Sequence, residues 1–451
     1  MSDYLLDVPY TPQFHREHAP LWFQAVLTAL GRPQPVTQGA SWCEVGCGSG
    51  LGLIVLAATN PSTTFHGIDI NPEHIAQARA LAEEAGIGNV EFRCADLRQA
   101  ESLPGFDYIV VRGIYSWVSP EVRQAIRRFV GQKLNPGGIA LLHYLALPGG
   151  ADFIAVHSLF RALHLQSGTS VRDSIRAGQD ILLKLHEGKA GFFNTHPVAE
   201  IKAQQIATDD ADYTAHDYLN EYYVPLSSAE VIGSMSQEGL HFAGSAVPFD
   251  NLDDFSVPGN LIALFRAQKT QIMRETVRDF ASNQLSRVDL YMHAARPLAA
   301  AEHFAALRRL RFRALPGAPV KGGLAFDARI GKVEGPAQIF SPILERFAGG
   351  QSVSYAEIEA LPVFRANPGI VNQALHALLG AGLVHPVPEA VSDPAPARRL
   401  NAVLLERHRA GQAVPALAAP ALASGLYLQP EDLEALSRSD DVPQAVRHLL
   451  P

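Results

Sequence analysis

The chain has 451 residues, of which 47% are hydrophobic and 18% charged, and its formal net charge is −8. That length predicts two to four domains, and the acidic balance argues against a general nucleic-acid binder, which carries a basic surplus. No apolar run approaches the ~20 residues that span a bilayer, the start Met1-Ser-Asp-Tyr-Leu-Leu-Asp7 lacks the basic and apolar regions of a secretory signal, and the cysteines Cys43, Cys47 and Cys94 are too few for a disulfide scaffold, so a cytoplasmic protein without membrane insertion is expected.

Residues 1–39 read as a cap segment. Val8-Pro-Tyr-Thr-Pro12 is extended and a helix is predicted from His18 to Leu30. Tyr10 either closes a ligand pocket or packs on a sheet edge. Next comes a short apolar strand ending in Glu44-Val-Gly-Cys-Gly-Ser-Gly50, just ahead of a helical stretch, Leu51 to Thr59. A dinucleotide fingerprint requires G-x-G-x-x-G. Leu51 or Leu53 occupies the third glycine position in either frame, so a nicotinamide oxidoreductase is disfavoured. The remaining pattern, E-x-G-x-G-x-G, resembles motif I of class I S-adenosylmethionine (SAM)-dependent methyltransferases. The chemistry agrees: Gly46, Gly48 and Gly50 allow a sharp turn and close backbone approach, and Glu44 can face the SAM ammonium. Asp69 closes a second strand, where a carboxylate can accept the ribose hydroxyls. Asp96 ends a third strand, Val90 to Asp96, where this fold commonly meets the adenine amino group. Ile70 and Leu97, each following an acid, join the expected cofactor contacts.

A helix from Pro72 to about Gly86 carries proline and an acid in its first turn. Phe106 to Val111 is a continuous apolar run, as expected of a strand buried on both faces, with Arg112 at its end. Asn135-Pro-Gly-Gly138 is a turn before a strand, Ile139 to His143. The resulting β-α-β-α rhythm over residues 40–150 predicts a mostly parallel sheet with helices on both faces. Residues 151–270 read as a helical insertion followed by the last strands of the core, Leu240 to Ala246 and Leu261 to Arg266. Within it, Asp217-Tyr-Leu-Asn-Glu-Tyr-Tyr223 combines aromatic rings with acids and can either bind a cationic group or pack as a helix end. Residues 271–338 form a linking region in which Arg308-Arg-Leu-Arg-Phe-Arg313 suggests an edge strand with a basic face. Residues 339–388 suggest a winged-helix-like module: three helices and an extended Leu383 to Val387. Its third helix lacks Lys and Arg, so a protein-contact or scaffold role is favoured over DNA reading. Residues 389–451 are expected to form a linker and a helical tail broken at Pro415 and Pro420.

The segment Phe106-Asp-Tyr-Ile-Val-Val-Arg-Gly-Ile-Tyr-Ser-Trp-Val118 resembles bacterial methyltransferases that carry a methyltransferase regulatory domain, a group that includes rickettsial-type protein lysine methyltransferases. Val8-Pro-Tyr10, Tyr218 to Tyr222, Arg278-Asp-Phe280 with Asp289-Leu-Tyr291, and Leu417 to Pro420 with Ser424-Gly425 resemble further stretches of that family. Two departures stand out: Arg112 replaces a usual His, and Leu142 to Gly150 keeps Tyr144, Pro148 and Gly149 but not the Asn and Trp of the family's S-Y-N-x-x-P-G-W. The resemblance implies an α/β, Rossmann-like class I methyltransferase sheet, SAM as cofactor with S-adenosylhomocysteine (SAH) as product, and a protein lysine as acceptor. The alternatives are a small-molecule acceptor and a SAM-binding regulatory protein without turnover. Lysine has a reference pKa of ~10.4, so its nitrogen needs desolvation or a base before it can attack. Tyr115, Trp117, His143 and Tyr144 are the candidates for the methyl-transfer pocket, with His143 the base suggested by chemistry. Arg112 would hold the SAM carboxylate or an acidic substrate group. The multidomain size is compatible with a homodimer.

Overall fold

Runs of buried Val, Ile, Leu and aromatic residues build a seven-stranded sheet. The computed structural model describes residues 8, 10–99, 103–294, 296–438 and 446–451; the N-terminal stretch Met1 to Asp7 and Pro9 of the Val8-Pro-Tyr10 motif lie outside them. The strands are β1 (Ser41–Val45), β2 (Thr64–Asp69), β3 (Val90–Cys94), β4 (Phe106–Val111), β5 (Leu134–Leu145), β6 (His241–Ser245) and β7 (Ser286–Met292), in the order β3-β2-β1-β4-β5-β7-β6. β1 to β5 are parallel, and β7 runs antiparallel to both β5 and β6. The strand order reverses between β1 and β4, where their carboxyl ends diverge and leave a crevice for ligands.

The helices of the parallel half are α1 (Pro20–Ala29), α2 (Leu51–Thr59), α3 (Pro72–Glu84) and α4 (Pro120–Lys133). Two starts show why they begin there: the side chain of Asn71 accepts the Glu73 N–H at α3, and Ser119 accepts the Val122 N–H at α4, each followed by proline at the first helical position. α2 is apolar all round, which is what a helix covered on both sides requires. One side lies near the sheet; the other meets the C-terminal region.

The helical insertion comprises α5 (Asp152–Ser167), α6 (Val171–Glu187), α7 (Gly191–Thr195), α8 (Pro197–Thr208) and α9 (Ala211–Tyr218), with a core of its own around Phe153, Phe160, Ile175 and Tyr218. α10 (Ser228–Gln237) leads into β6. Leu261 to Arg266, expected as a strand, is helical instead: α11 (Asp253–Ser256) and α12 (Ile262–Arg266) follow β6, and the remaining sheet position is filled by β7 after α13 (Gln271–Ser282). Leu264 is 53% exposed, so this short apolar run lacks the two-sided burial of an inner strand.

The basic segment also differs from expectation. Arg308 and Arg309 end helix α14 (Ala300–Arg309), and only Arg311–Ala314 form a strand, β8, at the centre of a three-stranded sheet rather than at its edge. Arg308 pairs with Glu359 at 2.6 Å and Arg311 donates to Ser352, so these cations are partly used at home. A hairpin, β9 (Leu324–Ala328) and β10 (Gly331–Gly335), precedes α15 (Ala337–Phe347), β11 (Val353–Ser354), α16 (Tyr355–Glu359), α17 (Gly369–Gly380) and β12 (Val384–Pro386). The extended segment after α17 makes a single strand against β8, not a wing hairpin.

The tail is not purely helical either. After α18 (Ala395–Arg409) the chain forms a small antiparallel pair, β13 (Leu417–Ala419) with β14 (Ser424–Leu426), and then α19 (Pro430–Arg438). Pro415 and Pro420 flank β13 and lie outside its paired residues, so neither removes a ladder hydrogen bond. This region covers α2 and α3: Arg399 donates to the Ala85 and Gly86 carbonyls, Arg407 pairs with Glu84 at 2.5 Å, and Asn60 donates to the Ala423 carbonyl. Among the described residues no helix is long and apolar enough to cross a membrane.

Candidate active site

A cavity of about 320 Å³ opens at the carboxyl ends of β1, β2 and β4, within the size range of small-ligand sites. Its floor is the β1–α2 turn. Gly48 and Gly50 there have φ of +54° and +70°, a region that L side chains enter only with strain. A Cβ on Gly50 would lie 2.5 Å from the Phe92 ring, whereas a Cβ on Gly48 would have no neighbour within 4 Å. The first glycine packs; the second leaves backbone open to a ligand. Gly46 holds the turn's entry, its N–H donating to the Ile68 carbonyl at 2.7 Å.

Glu44, at the end of β1, lies 3.5 Å from His18. Asp69, at the end of β2, accepts the Gly48 N–H at 2.9 Å and the Asn71 N–H at 2.8 Å. Each oxygen accepts one hydrogen bond, with His74 Nδ1 3.6 Å from Oδ1, and lone pairs remain for hydroxyl donors. Asp96 faces the cavity with Arg98 forked across its carboxylate at 2.5–3.0 Å, and that hydrogen-bonded pairing holds its pKa below the usual carboxylate value. Ile70 and Leu97 line the same side. On the opposite wall Arg112 has a buried Nη1 without a hydrogen-bond partner, a donor placed for an anionic group.

All ten expected cofactor residues (Tyr10, Glu44, Gly46, Gly48, Gly50, Asp69, Ile70, Asp96, Leu97 and Arg112) therefore line one cavity. The cavity as a whole offers what SAM requires: an acid for an ammonium, a cation for a carboxylate, an acid at the second strand end and an open backbone turn.

The expected methyl-transfer residues divide. Trp117 and His143 line the cavity with rings 6.2 Å apart and nearly parallel. Tyr115 and Tyr144 do not line it. Tyr144 follows His143 on β5, so pleating turns it to the other face, where its hydroxyl donates to Asp289 at 2.9 Å. Tyr115 is buried beside α4 and accepts from Arg127 at 2.9 Å. His143 is also altered as a base: its Nδ1 accepts the Gly113 N–H at 3.3 Å, and burial, with Arg112 and His18 nearby, holds its pKa well below the ordinary imidazole value. A ring so held is neutral and presents Nε2–H as a donor.

Four residues on the wall had no place in the sequence expectations: His15 and His18 from the segment before α1, and Tyr213 with His216 from α9. The run Phe14-His-Arg-Glu-His18, polar and rich in histidine just ahead of a buried helix, is the signal for the first pair. Asp217, one turn after Tyr213 on α9, is only partly exposed and faces the cavity. Burial, then Asp209, raise its pKa to about 7, against a hydrogen bond from Tyr213. Tyr10 is raised to about 12, by burial first and then by Asp217. Cys47 lines the cavity too, but burial holds its thiol protonated, which removes it as a nucleophile.

Comparisons with known proteins identify the family and the fold. Residues 43–138 match a family described as "Methyltransferase domain", and residues 210–293 match "Predicted methyltransferase regulatory domain". An uncharacterized protein of Synechocystis is 30% identical over 99% of this chain and 90% of its own length. The chain belongs to the class I SAM-dependent methyltransferases with a regulatory domain. An uncharacterized Rickettsia prowazekii protein is 29% identical over 48% of this methyltransferase and 86% of its own length. The solved structure of PKMT2 from Rickettsia typhi in complex with AdoHcy superposes with a TM-score of 0.72, at 20% identity, over 95% of this chain and 88% of that one. SAM is thus the cofactor of this enzyme. The regulatory-domain match is not a separate body: it spans α9, β6 and β7, and so supplies both a cavity wall and the last two strands of the sheet.

Proposed function

We propose that this methyltransferase modifies lysine side chains of a protein by direct displacement. The observation that carries the reading is the composition of the wall beyond the cofactor turn: Tyr10, Trp117 and Tyr213 surround one acid, Asp217. Aromatic faces beside a carboxylate suit an ammonium or methylated ammonium. The likeness in fold to PKMT2, which extends over nearly the whole chain, supports it.

In this reading Glu44 faces the SAM ammonium, Arg112 the carboxylate, Asp69 the ribose and Asp96 the adenine edge, with Ile70 and Leu97 beside the base. Bound SAM supplies an electrophilic methyl on a sulfonium. The protein's part is to desolvate and align the acceptor; alignment is worth up to about 7–11 kcal/mol. Trp117 and His143 form the wall nearest the end of β5, with the His143 N–H available to a carbonyl or hydroxyl acceptor. The cysteines are free, which supports a reducing, cytoplasmic setting.

The test is to incubate the pure enzyme with methyl-labelled SAM and a fractionated bacterial lysate. Label in protein, released as methyl-lysine on hydrolysis, is expected. Label confined to small molecules would replace the protein acceptor by a metabolite, and SAM binding with no label in any fraction would favour a SAM-binding regulator.

A further inference from the structure

The acceptor nitrogen must arrive as an amine, and His143 is a poor agent for this because its pKa is low and its Nδ1 is occupied. We infer that Asp217 is the group that receives the acceptor ammonium and takes its proton, making α9 of the regulatory region the acceptor-binding element. The inference rests on the lysine reading above and deepens it.

The geometry comes first. Asp217 sits in the last turn of α9 and lines the cavity, and α9 is tied down at two places. The Trp117 indole N–H donates to the Asp217 carbonyl at 3.2 Å, tying the helix end to the β4–α4 turn. His216 Nε2 meets the Val8 carbonyl at 3.0 Å, and the Tyr10 and His216 rings make an edge contact at 5.0 Å, tying α9 to the N-terminal segment. The acid is thus fixed between the two segments that complete the cofactor pocket. The titratable groups that face it are Asp209, Tyr10, Tyr213, His216, Tyr218 and Tyr223, with Arg112 across the cavity. Among the described residues no Lys, and no Arg other than Arg112 and the Asp96-paired Arg98, lines that cavity. Apart from Glu44, Asp69 and Asp96 around the cofactor turn, an entering ammonium therefore meets one half-buried carboxylate, Asp217, with Tyr10 and Tyr213 beside it.

The chemistry follows from burial. In water an ammonium at ~10.4 would give its proton to a carboxylate at ~3.9 only at great cost. Desolvation moves the two toward each other, raising the acid and lowering the amine. The Asp217 carboxyl is raised to about 7, by burial first and then by Asp209. In the transfer an N–H bond of the ammonium breaks, an O–H bond forms on Asp217, and the electron pair stays on nitrogen. That pair forms the new C–N bond as the methyl's C–S bond breaks, with its electrons left on sulfur. The product is a methylated ammonium, neutral SAH and a protonated Asp217, which returns its proton to solvent on product release.

The test compares wild type with Asp217→Asn and Asp217→Glu, using the labelled protein substrate. SAH affinity, measured by calorimetry, serves as the check on folding and is expected to stay within about threefold in Asp217→Asn. The expected loss in kcat is about 10²-fold or more, with partial recovery of the asparagine variant as pH rises toward 10, where the amine is already deprotonated in bulk. Binding of a lysine peptide to the enzyme–SAH complex near neutral pH should weaken about tenfold or more in the same variant. Near-normal kcat, or a loss that does not change with pH while SAH binding is intact, would overturn the role of Asp217 alone. Wild-type enzyme that labels no lysine would overturn the acceptor assignment itself, and the role of Asp217 with it.

Discussion

Gly48 and Gly50 lie two residues apart in one turn, yet the structure predicts opposite consequences for changing them to alanine. At Gly50 the new Cβ would meet Phe92 Cε1 at 2.5 Å and Ala78 Cβ at 2.9 Å. Phe92 is only 3% exposed and fixed on β3, so the backbone has to yield. Left-handed strain of ~1–2 kcal/mol and overpacking of ~1–3 kcal/mol together predict a loss of about 2–5 kcal/mol. At Gly48 the left-handed term alone applies, about 1–2 kcal/mol, because no atom lies within 4 Å. The added methyl there enters the cofactor cavity, and a tenfold weaker affinity for SAH corresponds to ~1.4 kcal/mol. Thermal melts of the apo proteins paired with SAH calorimetry separate the two effects. Gly50→Ala should give much the lower melting temperature; Gly48→Ala should melt closer to wild type but bind SAH at least about tenfold more weakly. Normal SAH binding by Gly48→Ala, or equal melting of the two variants, would refute the assignment of Gly48 to ligand contact and Gly50 to packing.

Four further outcomes are expected. Arg112→Gln should weaken SAH about 10-fold or more, since hydrogen bonds to charged groups are worth ~1.5–3 kcal/mol, but leave 5′-methylthioadenosine, which lacks the carboxylate, unaffected in a competition assay. Tyr427→Phe removes a hydroxyl that donates to the Phe14 carbonyl; a loss of ~1 kcal/mol should appear as faster hydrogen exchange around residues 13–18 and a few-fold weaker SAH. Arg287→Met leaves Glu275, Asp279 and Asp289 without their shared cation, and stability measured by denaturant should fall by ~3–5 kcal/mol. Asp217→Asn should alter the pH dependence of stability: the folded acid titrates near 7 and the unfolded one near 3.8, so the folded state binds more protons between these values and wild-type stability declines as pH rises across that window. The variant escapes a penalty of about 4 kcal/mol at most, so its advantage should grow from pH 4 to 7 and then level off; a difference independent of pH would contradict the burial of that acid.

The cofactor half was legible because its requirements are local. A glycine turn, an acid at each strand end and a strand-helix rhythm are all written in neighbouring residues, and Glu44, Asp69 and Asp96 fall where that rhythm puts them. The acceptor half depends on tertiary placement. Tyr144 and Tyr115 looked as eligible as His143 and Trp117, but pleating and a turn direct them into the core. The Arg278-Asp-Phe280 and Asp289-Leu-Tyr291 resemblances turned out to mark a buried polar cluster, in which Arg287 bonds Asp279 and Asp289 while Tyr144 and Tyr291 donate to Asp289. Its value lies in registering β7 against β5 behind the site. Leu261 to Arg266 was misread for a related reason: a five-residue apolar run does not tell strand from helix without its neighbours.

That polar cluster bears on how the halves of the site are joined. β7 runs between β5, which carries His143, and β6, and the segment that supplies β6 and β7 begins at α9, which carries Asp217. The position of Asp217 relative to His143 is therefore set through one continuous stretch of chain anchored in the sheet at its far end. The N-terminal segment is fastened separately: Tyr427 holds the Phe14 carbonyl, Arg16 lies 5.3 Å over the Tyr427 ring, and a Cβ on Gly425 would strike the Phe14 ring at 2.7 Å. Phe14 and His15 line the cavity. A perturbation of the C-terminal strands should thus reach the cofactor through Phe14, and one at β7 should reach the acceptor through α9. The two effects are separable as losses in SAH affinity and in kcat, which assigns the regulatory region and the C-terminal region different parts in one catalytic cycle.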